Sequence, residues 1–358
     1  MHAWLTSMSS CSSEDNSGFN AAFSFRNGGI KAVFLAFLTL SLFSVNTQAE
    51  QADVPARTML AEMAEAVRQL DYSGEFTFER NGELEAIRIA HRVVDEVEHE
   101  RLIFLTGSYR EYVRQGHDIS CVHPGQQLVA VERSSDAAKF FSNRDFSDFD
   151  IEDFYRVMYS GSDRVANREV VKITLEPRDA YRHGYQFYLD KATKIPLKTV
   201  LFSSDGQMLE RFQYVSIVFN GVTAADVSPS DNSAVILHHH MPEKSASPEL
   251  AVSMQPQWLP AGFKLAARSI DTVINTGAEV TTFTDGLSTL SLIVEPIPPQ
   301  NGVPQDLEGK ARYGGTVALS RTVFIGEQGF LVTVVGEVPL ITAAKVARSV
   351  MLQQIKEQ

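Results

Sequence analysis

Residues 75–93 constrain the fold of this chain more than any other stretch. Glu75-Phe76-Thr77-Phe78-Glu79-Arg80 alternates polar and apolar side chains, and Asn81-Gly82 follows at once. A period of two marks a strand with one buried face, and Asn-Gly supplies the left-handed residues of a tight hairpin turn. The return strand puts Glu85, Ile87, Ile89, His91 and Val93 on one face and Leu84, Ala86, Arg88, Ala90 and Arg92 on the other. A period of two is incompatible with helix, so the region starts an antiparallel meander with one face buried.

The meander is expected to continue through strands at Glu98–Leu105, Arg110–Arg114, Ile119–His123 and Gln127–Val131, then Val170–Leu175, Gly184–Leu189, Leu197–Phe202 and Leu209–Phe219. Before it, Leu60, Met63, Val67 and Leu70 recur at helical spacing within Pro55–Leu70. Residues 140–159 interrupt the pattern. Phe140, Phe141, Phe146, Phe149, Phe154, Tyr155, Met158 and Tyr159 are interleaved with Asp145, Asp148, Asp150, Glu152 and Asp153, which predicts a loop and a short helix over the sheet. One amphipathic helix and about ten antiparallel strands imply a strongly curved sheet, a half-barrel with helices in its concavity.

Apolar periodicity stops over residues 222–249, where Ser, Pro, Asp, Asn and Ala dominate. This reads as a linker. Beyond it, Trp258-Leu259-Pro260-Ala261-Gly262-Phe263 forms a turn into strand Lys264–Ser269, with further strands at Glu279–Phe283, Ser288–Val294, Gly315–Ser320, Arg321–Ile325 and Phe330–Val335. A last helix carries Ala343, Val346, Ala347, Val350 and Met351 on one side. The expected class is α+β: a half-barrel domain over 50–222, a linker over 223–255 and a smaller α+β domain over 256–358.

Arg26 and Lys31 precede the apolar run Ala32–Val45, and small Ala49 follows. That order describes a signal peptide over 1–49, cleaved near Ala49. The run is shorter than the about 20 residues a membrane span needs. Export of a chain with only Cys11 and Cys121 leaves one mature cysteine and no internal disulfide, which suits a bacterial periplasm. The net charge is −12, and Glu14 and Asp15 cancel Arg26 and Lys31, so the mature chain keeps it. An acidic surface excludes nucleic acid as the main partner, since phosphate binding needs a basic footprint. It leaves protein and lipid partners open.

Signatures of catalysis are missing. The chain has no G-x-S-x-G, H-E-x-x-H, Walker or dinucleotide motif. Cys121 and His123 share a strand face, but nothing near them supplies an orienting group or an oxyanion hole. The carboxylates of 145–153 lack calcium-loop spacing and read as a solvated acidic face. His238-His239-His240 falls in the linker and offers two ligands at best from an extended run. No cofactor and no metal site are expected.

Segments in both domains resemble the RseB/MucB family. Leu70-Asp71-Tyr72-Ser73-Gly74 opens the first domain, followed by Ile89-Ala90-His91-Arg92-Val93, Glu100-Arg101-Leu102 and Gly107-Ser108-Tyr109-Arg110-Glu111. Arg164-Val165-Ala166, Tyr181-Arg182-His183-Gly184-Tyr185, Leu189-Asp190 and Ile195-Pro196-Leu197-Lys198 come next. The second domain adds Trp258–Phe263, Thr284-Asp285-Gly286-Leu287 and Val335-Gly336-Glu337-Val338-Pro339. His183 stands where an aromatic residue is expected. The order of these pieces over about 56–352 carries the resemblance, since no single one is decisive.

The resemblance implies a periplasmic regulator, not an enzyme. Its first domain is expected to be similar to LolA/LolB lipoprotein carriers. Its second is expected to grip the periplasmic part of an RseA/MucA-like anti-sigma factor and hinder its proteolysis, with lipopolysaccharide or another acyl lipid as the releasing signal. Acyl chains are expected in a cleft lined by Phe76, Phe78, Ile87 and Ile89. Arg88, Arg92, Arg101 and Arg110 are candidates for lipid phosphates because guanidinium binds phosphate bidentately. Trp258, Phe263, Arg312 and Tyr313 are the candidate partner surface. The bland alternatives are that the apolar four fill the core, that the arginines are solvated strand residues, and that Trp258 and Phe263 are core. A periplasmic lipid or lipoprotein carrier is the rival function, an exported hydrolase a third, and a homo-oligomer fits a large apolar surface.

Overall fold

The computed structural model describes residues 53–116, 118–122, 129–132, 151–230, 237–238, 252–271, 278–298, 308–326 and 328–354. The signal segment, residues 140–150, His123, His239 and His240 lie outside them. Helix α1 (Asp53–Gln69) precedes strands β1 (Tyr72–Arg80), β2 (Glu83–Val94), β3 (Val97–Phe104), β4 (Glu111–Gln115), β5 (Asp118–Val122) and β6 (Val129–Glu132). After the short α2 (Ile151–Phe154) come β7 (Tyr155–Val165), β8 (Arg168–Pro177), β9 (Gly184–Asp190), β10 (Pro196–Phe202), β11 (Met208–Phe219) and β12 (Leu237–His238).

These strands form one twelve-stranded sheet in the order β12-β6-β5-β4-β3-β2-β1-β11-β10-β9-β8-β7. The hairpin is as the sequence predicts: Phe76 faces Ile87 across β1 and β2, and Asn81 and Gly82 both take positive φ, 53° and 79°. Strands lie about 4.8 Å apart, so β2 and β7, six steps apart, would be about 29 Å apart in a flat sheet. Yet α1 touches both, and a helix is only about 10 Å across. The sheet is therefore rolled around α1. Leu60, Met63 and Ala66 of the helix are buried in the apolar clusters that line the inner face.

The second domain has β13 (Val252–Pro256), β14 (Lys264–Asp271), β15 (Ala278–Thr284), β16 (Thr289–Pro296), β17 (Glu308–Tyr313), β18 (Thr316–Ile325), β19 (Gln328–Gly336), α3 (Leu340–Arg348) and β20 (Val350–Gln354). Six strands make a sheet in the order β14-β15-β16-β19-β18-β17, and β13 pairs with β20. Ala343, Val346 and Ala347 of α3 share one core with Leu292, Val332 and Val334. Among the described residues no helix is long and apolar enough to cross a membrane.

Several local expectations are corrected. Tyr155, Met158 and Tyr159 belong to a strand, because Tyr155 and Val157 point inward while Arg156 is exposed; the aromatic density hid that alternation. Arg321 continues β18 without the break expected before it. Val350 and Met351 leave the final helix. Ser349 ends α3 with its N–H on the carbonyls of Lys345 and Val346, and Val350 then pairs with Pro256. Residues 222–230, which read as linker, lie against the sheet: Val222 and Val227 pack on Ala90, and Ser230 bonds Glu111.

Candidate functional site

Strand alternation divides the expected lipid residues between two faces. Phe76, Phe78, Ile87 and Ile89 all point inward and are at most 2% exposed, in one cluster with Tyr72, Leu102, Phe104, Phe212 and Tyr214. Val67 and Leu70 of the α1 segment pack against that cluster. The interior is thus occupied by the protein's own side chains. Arg88 and Arg101 are on the outer face and line a groove of about 480 Å³ with Glu75, Ile103, Val218 and Asp226. Arg88 pairs with Glu75 at 2.8 Å, and Arg101 pairs with Glu111 at 2.7 Å. Arg92 shares their face, since β2 alternates. Of the four arginines, Arg110 is the one beside the inner cluster, with its guanidinium 3.9 Å from the Phe104 ring centre and bonded to Glu85.

The partner residues fall elsewhere, mostly at a joint between the domains. Trp258 stacks edge-on against Tyr181 of the first domain at 4.9 Å, with Lys345 over its ring. Phe263 is 8% exposed and belongs to the second core. The Tyr313 hydroxyl donates to Glu83 at 2.9 Å, and Arg80 lies 3.8 Å over its ring. Arg312 is exposed, and its Nε donates to the Gly314 carbonyl.

The joint is built where several strand ends of the half-barrel form a rim. Arg182, 0% exposed, leaves the loop before β9. It donates from Nη1 to Asp285 at 2.8 Å and from Nη2 to the Ala261 carbonyl at 2.6 Å, both in the second domain. Asp179 holds it from its own side, with Nε donating at 3.1 Å. Asp285 is equally prepared. Its Oδ1 accepts the backbone N–H groups of Leu287 and Ser288, and its Oδ2 accepts the Tyr155 hydroxyl besides Arg182. Burial pushes the Asp285 carboxyl up, against the pull of Arg182 and these donors.

Other contacts surround the pair. Tyr185 donates to Glu337 at 2.5 Å, and His183 bonds the Gly315 carbonyl at 3.2 Å through Nε2. Burial holds that imidazole neutral, its pKa lowered to about 4. The turn between β17 and β18 is gripped too: Gly314 N–H donates to Asn81 and Gly315 N–H to Glu210. Leu287 inserts among Tyr155, Tyr185, Leu201 and Leu209. The second domain therefore covers one open end of the half-barrel. Among the described residues no group of three His, Cys, Asp or Glu is placed to hold a metal ion.

Two family models match the chain in tandem: the MucB/RseB N-terminal domain over residues 55–236 and the MucB/RseB C-terminal domain over 249–351. The chain belongs to the MucB/RseB family. It is similar to the sigma factor AlgU regulatory protein MucB of Pseudomonas aeruginosa, with 33% identity over 90% of this chain and 98% of that protein. The complex structure of Pseudomonas aeruginosa MucA/MucB matches with a TM-score of 0.67 and 31% identity, over 83% of this chain and 98% of that one. A crystal structure of MucB alone matches over the same shares with a TM-score of 0.57 and 29% identity.

In this MucB/RseB protein four of the family-like motifs in the second half of the chain meet at the joint. Tyr181–Tyr185, Trp258–Phe263, Thr284–Leu287 and Val335–Pro339 all contribute to it. Arg182, Asp285, Tyr155, Tyr185 and Glu337 were not singled out by sequence reasoning as site residues. For all but Tyr155 the available signal was a charged or polar residue inside a resembling segment, with no spacing to say which one meets which.

Proposed function

We propose that this MucB/RseB protein is a periplasmic regulator that binds the periplasmic segment of a MucA/RseA-like anti-sigma factor and hinders its proteolysis. It acts by binding and not by catalysis. The observation that carries the reading is near full-length similarity, over both domains, to a regulatory protein and to a chain solved in complex with MucA. The buried joint supports it, because a partner that touches both domains needs them held in one arrangement.

Lipopolysaccharide or another acyl lipid is the releasing signal in this reading. The apolar inner cluster supports an acyl site once α1 yields its place, and Arg110 lies against its Phe104 ring. The test is a titration of chain 50–358 with a MucA-like periplasmic segment, with and without lipopolysaccharide. Saturable binding that lipopolysaccharide weakens is expected. Lipid binding without any binding of the segment would leave a carrier and overturn the regulator.

A further inference from the structure

Apolar contact at the joint does not by itself orient the domains. Leu287 sits in a pocket of Tyr155, Tyr185, Leu201 and Leu209, and apolar burial is non-directional. Arg182 and Asp285 add something different. Both side chains are 0% exposed and meet across the joint at 2.8 Å. A buried ion pair adds little net stability, because desolvation offsets the attraction, but an arrangement that keeps the joint closed with the two apart leaves a buried charge unpaired. The pair therefore penalises the wrong orientations more than it favours the bound state.

Both partners are set before they meet. Asp179 fixes the guanidinium from within the first domain, and the N–H groups of Leu287 and Ser288 fix the carboxylate within the second. Three more contacts depend on the same alignment: Tyr155 to Asp285, Arg182 to the Ala261 carbonyl, and Tyr185 to Glu337. A rotation of one domain by a single residue's width breaks all of them together. This chain also superposes better on MucB solved with MucA, with a TM-score of 0.67, than on MucB alone, at 0.57.

We infer that the Arg182–Asp285 pair is a positioning element that selects the one orientation of the second domain on the half-barrel in which the anti-sigma segment is recognised. The inference rests on the proposed function for its partner, while its first readout is independent of it. Spin labels at Lys191 and Glu308, in a full chain with both cysteines replaced by serine, report the distance between the domains. One narrow distribution is expected for the parent chain, and a broadened one for Arg182→Met and for Asp285→Asn. Each variant should bind a MucA-like periplasmic segment tenfold or more weakly. The double variant should be no worse than the worse single, because both act through one contact. Arg182→Lys keeps the charge without the fork and should recover part of the affinity.

Tyr155→Phe removes one hydroxyl from the joint without leaving a charge, so it gives a smaller change of the same kind if a charge variant fails to fold. Unchanged distances in these variants would overturn the inference, and so would broadened distances with unchanged affinity. A parent chain that does not bind the segment removes the proposed function and the recognition role with it. The distances then decide the clamp alone.

Discussion

Ser230 donates its backbone N–H to the Glu111 carboxylate at 2.9 Å, joining positions 119 residues apart in the chain. The same carboxylate, fully buried, accepts the Ser230 and Tyr109 hydroxyls and pairs with Arg101. Burial opposes ionisation of Glu111, but these donors and the Arg101 charge outweigh it and hold the carboxyl below its usual range. The start of the connection to the second domain is thus fastened to the sheet.

Glu111→Gln keeps the shape but removes the charge that Arg101 and Ser230 converge on. It is expected to lower stability by about 1–3 kcal/mol. Limited proteolysis should then cut the chain just beyond Ser230 faster than in the parent. Equal cleavage rates would show that the anchor does not restrain that segment.

Acid should weaken the joint through His183. Its pKa falls from 6.5 unfolded to about 4 folded because burial disfavours the cation. Between those values the unfolded chain binds a proton that the folded chain refuses. The contribution is whole above pH 6.5 and shrinks as pH falls, by about 2 kcal/mol near pH 5 and on the order of 3 kcal/mol below pH 4. His183→Phe should flatten the dependence of the urea midpoint on pH across that window. A slope equal to the parent's would refute the assignment.

His91 acts in the opposite sense. Burial disfavours its cation, but Glu98, Glu100 and the Leu70 carbonyl more than offset this and raise its pKa. Nε2 lies 3.7 Å from Glu98, too far for a hydrogen bond, so the attraction there is between charges through space. The stabilisation is complete below the unfolded pKa and is lost as pH rises through the folded one. Replacing His91 with Gln should remove that loss, visible as a smaller fall in melting temperature as pH rises above 6.5.

The two faces of β2 should respond differently to truncation. Phe76→Ala, in the inner cluster opposite Ile87, is expected to cost about 3–5 kcal/mol in urea unfolding. Arg88→Ala, half-exposed on the outer face, is expected to stay within about 0.5 kcal/mol. Near-equal costs would contradict the placement of these residues.

Gly262 combines a φ of +86° with close contact to Phe154, whose ring would lie 2.3 Å from an added Cβ. Gly262→Ala is expected to destabilise by about 1–3 kcal/mol. Adding Phe154→Ala should return the steric part and leave the backbone part. No recovery in the double variant would mean the φ requirement dominates.

Much of the first sheet was legible because its signals are local. Asn81-Gly82 set the hairpin register, and Leu60 and Met63 marked the buried side of α1. Alternation also placed Ile87 and Arg88 on opposite faces, so their separation was implicit when both were assigned to one lipid site. The joint was not legible, since Arg182 and Asp285 are 103 residues apart and neither carries a spacing that names its partner. Trp258 and Tyr313 were found as exceptional residues, but composition cannot tell an outward binding surface from one that faces the other domain. Val350 was misread for a similar reason: its helical spacing continues that of Val346, and only pairing with Pro256 decides against it.

The position of α1 sets a condition on any ligand of the half-barrel. Val67 and Leu70 occupy the space beside Phe76 and Ile87, so an acyl chain entering there would have to evict them. The helix is then an intramolecular competitor, joined to β1 through Leu70 and Asp71 and present at an effective concentration on the order of millimolar or more. The apparent affinity for lipid would be the intrinsic affinity divided by that competition, and a change that loosens α1 would tune the lipid threshold without touching the lipid.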